Sequence, residues 1–190
     1  MEINIDMFDT LAARGAIQKG EWGDGHERAC LMSAVVTGAQ SVEECAMRGW
    51  PLWLAELCVW LFDGYDDDYI IRGRTLITAI SDADARGADW DRVYKTVRLQ
   101  AILPIAMESV GGGDEPWRVA CREAVQWSLD HGGAANPQAA GAARAARAAE
   151  AAWAAEAAGA ARAARAAWAA RAAEAARLRI ENALMSACKE

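Results

Sequence analysis

His26 and Cys30 lie four residues apart, so on a helix they would face the same way, as two metal ligands or a nucleophile and its base must. Only Cys45 offers a nearby third ligand and no CxxC pair accompanies it, so buried thiols and a surface histidine are the expected state, with no metal site. The carboxylates of Asp63, Asp66, Asp67 and Asp68 suit a hard cation in type. They lack the alternate spacing and closing glutamate of a calcium loop, and read better as solvated acids at a helix start. The glycines at 111, 112 and 113 have neither a following lysine nor a strand ahead of them, so they mark a break and not a phosphate loop. His131 falls at a helix C-terminus, where imidazole suits the dipole. No constellation has the spacing of a catalytic site, and the chain reads as a non-enzyme without a cofactor.

The residues left with a chemical role to consider are cationic and aromatic. Arg144, Arg147, Arg162 and Arg165 can clamp a carboxylate or phosphate group, and Trp153 and Trp168 stand alone in an alanine surface. These six are the candidate partner- or anion-binding residues, against the ordinary condition of solvated arginines and of tryptophans packed on the body. From 142 to 177 every third residue varies and the other two are alanine, the strongest helix former. On a helix of 3.6 residues per turn, a three-residue period walks the variable side chains around the axis by about 60° per step. The pattern returns to register after about 18 residues, or five turns. Residues 142–159 and 160–177 therefore align as two such repeats, with the four arginines in one strip and both tryptophans on roughly the opposite half. Unselected expansion of an alanine tract gives the same text. The segment is expected as one rod of about 75 Å or as a hairpin folded at Gly159. Leu178, Ile180, Leu184 and Met185 then restore amphipathic spacing, which predicts a docked end.

Helical spacing with stop signals runs through the rest, and no sustained strand alternation appears. A first helix is expected over 26–36, ending at Gly38. A second is expected over 41–47, with Ser41 at the cap and Glu44 three residues on. Pro51 suits the start of a third, apolar on nearly every side and therefore expected at the centre of the core. A fourth is predicted over 66–81. A fifth opens near Asp89 and should kink or divide at Pro104, and a sixth covers 115–130, stopped by Gly132 and Gly133. The fold class is all-α, a compact helical domain followed by an alanine-rich long helix or helical hairpin. Its divisions are a tryptophan-rich acidic domain over 1–133, a linker over 134–141 and the tail over 142–190.

Over 190 residues the net charge is −7, unevenly placed. From residue 141 onward eight Lys and Arg meet five Glu, leaving residues 1–140 with 12 cations against 22 acids. The acidic body excludes direct nucleic-acid binding by that part. Five cysteines at irregular spacing argue for a reduced, cytoplasmic protein. The most apolar window, 51–62, is too short for a membrane span.

Gly49, Trp50, Pro51, Trp53, Leu54 and Ala55, then Pro116, Trp117, Arg118, Ala120, Ala124 and Trp127, then the AAX tract, together resemble the alanine-rich proteins of bacteria and phages described as immunity proteins. The resemblance covers residues 45–190 and omits the first forty. It implies a helical, non-enzymatic protein that neutralises a toxin or defence component by binding it, and it carries over no catalytic residue. Two rivals remain open. One is a counter-defence protein that sequesters a small anionic signalling nucleotide; the other is a structural protein that forms homo-oligomers through the tail.

Overall fold

The computed structural model describes residues 1–20, 22–23, 27–65, 68–110, 112–114, 116–134 and 160–189, and of 117 and 160–172 the backbone alone. Every regular element among them is a helix, as the spacing predicts. In chain order these are α1 (Ile5–Ala13), α2 (Leu31–Val35), α3 (Val42–Met47), α4 (Leu52–Asp63), α5 (Tyr69–Ala85), α6 (Trp90–Val97), a π-helical turn (Arg98–Ile102), α7 (Leu103–Val110), α8 (Pro116–Asp130) and α9 (Ala160–Ala187). The chain forms two compact units, Met1–Tyr94 with Leu184–Glu190, and Lys95–Ala183. The linker and the first 18-residue repeat lie outside the described residues, apart from Ala134. The second repeat lies on α9, one uninterrupted helix from residue 160.

In the first unit local signals set the helix starts. Ser41 Oγ accepts from Glu44 N–H at 3.2 Å, so Ser41 caps α3 as its sequence predicts, and the Glu44 carboxylate reaches one residue further back, accepting from Gln40 N–H at 2.9 Å. Ser41→Ala is expected to cost about 1 kcal/mol in urea denaturation, and an unchanged midpoint would show that α3 stands on packing alone. Pro51 is the cap residue of α4. The helix expected over 26–36 is shorter: α2 starts at Leu31, because Cys30 is its cap, with Sγ accepting from Ser33 N–H at 3.4 Å. Just ahead of it Ala29 makes isolated bridges to Ile17 and Gly23, which hold that strand of chain extended. The helix expected from 66 likewise begins later, at Tyr69 with Asp68 as cap residue, and runs on to Ala85.

The core of this unit is α4 and α5 against α1 and α2. Leu54, Ala55, Cys58, Leu61 and Phe62 of α4 are buried, as are Gly73, Leu76, Ile77, Ile80 and Ala83 of α5. Gly73 is where the two helices come closest: a Cβ there would meet the Phe62 ring at 3.0 Å and Leu31 Cδ1 at 3.3 Å. Trp50 is buried and its Nε1 donates to Glu2 O at 2.8 Å, tying the α3–α4 corner to the chain start. Asp84 accepts from the Met1 amino group at 2.8 Å and from Trp90 Nε1 at 3.3 Å.

The docked end expected from its spacing is found, carried by Ile180 and Leu184 as expected and by alanines and Cys188 in place of Leu178 and Met185. Ile180, Ala183, Leu184, Ala187 and Cys188 are buried, whereas Leu178 is 43% exposed and Met185 half-buried. The stripe 180, 183, 184, 187, 188 is the one that helical geometry keeps on a single face. Its last members belong to the first unit, where Arg86 donates to Cys188 O.

In the second unit Pro104 does not break the helix. A straight α-helix would press the Pro104 ring on the Gln100 carbonyl and deprive it of a donor. The wider turn just ahead, in which Leu103 N–H donates to Arg98 O, takes up the misfit as a π bulge. α8 ends at glycines 132 and 133, with φ of +63° and +83°.

Candidate functional site

α4 is apolar on nearly every side, which predicts burial all round, but the structure corrects this. At 100° per residue, Leu52, Glu56, Val59, Trp60 and Asp63 fall on one side of the helix, opposite the buried set. Leu52 is 45% exposed and Trp60 41%, and just ahead of α4 the side chain of Met47 is 79% exposed. Glu56 and Asp63 are exposed between them. Trp53, at the margin of this stripe, leans on Tyr94 with ring centroids 5.1 Å apart. A helix with room for one buried face presents the remainder outward, and the stripe's two carboxylates mark which face that is.

The local charge is negative. Met1–Tyr94 and Leu184–Glu190 carry 9 Lys and Arg against 18 Asp and Glu, whereas Lys95–Ala183 carries 11 against 9. Arg48, the cation nearest the corner in sequence, is engaged inward: its guanidinium donates to Thr37 O at 2.6 Å and meets Glu2 at 3.4 Å. Glu43 lies one turn before Met47 on the exposed side of α3. Its own backbone N–H and the Ser41 hydroxyl hold its carboxyl below the usual value, which keeps it charged.

A second cluster pins the loop 15–20. Lys19 donates to Tyr65 O and lies 5.3 Å from the Tyr69 ring centroid, Tyr69 OH donates to Ile17 O at 3.1 Å, and Arg72 stacks 4.0 Å from the Tyr65 centroid. Asp63 accepts from Gly20 N–H at 2.8 Å. This carboxylate of the acidic run thus holds a loop; Asp66 and Asp67 lie outside the described residues. Among the described residues no three His, Cys, Asp or Glu side chains are grouped to hold a metal.

The other sequence candidates are placed as follows. His131 follows α8, stacked on Trp127 at 3.9 Å and 12° between ring planes, with Nδ1–H donating to Trp127 O at 2.7 Å. Arg118 and Arg122 donate to Val110 O and Gly113 O at 2.6 and 2.7 Å, so the glycine break is lashed to α8. Arg144, Arg147, Trp153 and His26 lie outside the described residues. Arg162, Arg165 and Trp168 lie on the backbone of α9, where only their register is described.

All five cysteines are free thiols; Cys30, Cys45, Cys58 and Cys188 are buried and Cys121 is half-buried. Burial raises the thiol pKa of all four, to about 11 for Cys45 and Cys188 from an ordinary 9.0. At pH 7 the expected result with a maleimide is one rapid modification, at Cys121, and four that await unfolding; a second rapid site would refute the burial pattern. Because the folded state holds these protons more tightly than the unfolded one, their contribution to stability is fully present below pH 9 and is lost as pH rises through about 11. Denaturation across that window should show a fall that is shallower in Cys45→Ala.

No family model matches the chain, and no curated protein or solved structure matches it either.

Proposed function

We propose that this chain is a non-enzymatic interaction protein of the immunity or inhibitor type, which binds and neutralises a toxin or defence component. The observation that carries the reading is the outward side of α4 and its approach, where Met47, Leu52 and Trp60 are held exposed on ordered helices of the acidic unit. Large apolar side chains gathered in one exposed patch are the composition of a protein-contact surface, where aromatic and methionine side chains are enriched and tryptophans often carry much of the binding energy. The resemblance of residues 45–190 to alanine-rich immunity proteins points the same way.

The test is affinity capture of the tagged full chain from its native host or infected cells, with mass spectrometry of proteins and extracted small molecules. It is followed by a growth assay in which the captured protein is expressed with and without this chain. A stoichiometric protein whose toxicity or defence activity is suppressed is the expected result. A bound nucleotide with no protein partner would overturn the reading in favour of sequestration, and self-association alone would favour a structural role.

A further inference from the structure

Resting on the inhibitor reading, we infer that the outward stripe of α4, with Met47 ahead of it, is the contact surface for a cationic protein partner that offers an apolar cleft to Trp60. Two independent features specify this occupant. The first is shape and polarity: Leu52 and Trp60 are two turns apart on one side of a helix whose other side is fully buried, so they are presented rigidly and lose little freedom on contact. The second is charge. Glu56 and Asp63 lie on the same stripe, Glu43 lies a turn before Met47, and the unit that carries them has twice as many acids as cations.

An acidic partner would meet repulsion from these carboxylates, and a neutral apolar one would bury Glu56 without a counter-charge at a heavy desolvation cost. A surface bearing lysines or arginines around an apolar cleft pairs them and is drawn in from a distance by the field of the unit. Arg48 is paired with Glu2 at 3.4 Å, so the two together add no net charge at the corner.

The probe is a synthetic amphipathic helix of about 18 residues with lysines on one side and leucines on the other, five turns being enough to cover the stripe. Two controls accompany it, one with each lysine replaced by glutamate and one with each leucine replaced by serine. Each peptide is titrated into the isotope-labelled full chain while backbone amide shifts are followed by NMR. The expected result is binding by the lysine–leucine peptide alone, with shifts centred on residues 43–47 and 52–63. Affinity should fall about 30-fold in Trp60→Ala, the scale of an aromatic hot spot, and about 10-fold in Glu56→Lys. Both positions are exposed, and Glu56→Gln, which removes the charge without reversing it, should give an intermediate loss.

Shifts centred elsewhere, equal binding by either control peptide, or no binding by any of the three would overturn the inference. The capture experiment separates this from the function proposed above. If the wild-type chain captures a neutralised partner and Trp60→Ala with Glu56→Lys captures it equally, the surface is wrong and the inhibitor reading stands. If the wild-type chain captures none, the inhibitor reading falls.

Discussion

Phe62→Ala is expected to destabilise the first unit by about 3–5 kcal/mol, the range for emptying a buried aromatic site. Phe62 is 1% exposed and meets Tyr65 and Tyr69 edge-on, with centroids 6.3 and 5.4 Å apart and planes at 73° in both pairs. Gly73 of α5 lies against Cδ2 and Cε2 of the ring, so Gly73→Val, which adds volume where a Cβ would already sit 3.0 Å from Phe62, should by itself cost about 1–3 kcal/mol. Combined, the two changes act on one volume: the valine occupies part of the space that the ring vacates. Urea denaturation of wild type, both single variants and the double variant measures this coupling. The double variant should be more stable than the sum of the single losses predicts; additivity within about 0.5 kcal/mol would show that the α4–α5 approach is not the constraint described.

Leu184→Ala is expected to cost about 2–5 kcal/mol, and the loss should be felt far away in sequence. Leu184 is completely buried, Cys188 nearly so, and Arg86 at the end of α5 donates to the Cys188 carbonyl. Burial, and after it the charge of a Cys188 thiolate, raise the Cys58 thiol. Hydrogen exchange is the discriminating measurement. Protection of amides in α4 and α5 should drop in Leu184→Ala, and a drop confined to the last turns of α9 would mean that the segment covers nothing essential.

Much of the helical framework was legible because it depends on neighbours in sequence. Ser41 with Glu44, Pro51, Asp89, whose carboxylate accepts from the N–H groups of Asp91 and Arg92, and the glycines after α8 all act within a turn. What was missed depends on packing or on competing local bonds. α1 has a cap at Asn4 and the spaced Phe8 and Leu11, a signal present in the sequence but too short to stand out. Cys30 as a helix cap is a role that residue type does not announce. Pro104 signals a disturbed helix, but the choice of π bulge over break is settled by the whole turn around it. For the surface, an all-apolar α4 suggested full burial. The positions of Glu56 and Asp63, four and eleven residues after Leu52, contained the better answer, since two carboxylates on one side of an apolar helix mark the side facing water.

The return of Leu184–Glu190 to the unit begun by Met1 also has a consequence in time. The 89 residues of Lys95–Ala183 must be synthesised before the segment that completes the first core exists. At ordinary translation rates of about 5–20 residues per second that interval is on the order of 5–20 s, far longer than a helix or a small helical domain needs to form. During it the nascent chain holds a nearly finished core with one side open. A chain that ends before Leu184 therefore leaves uncovered the apolar side chains of the first unit that Leu184, Ala187 and Cys188 cover.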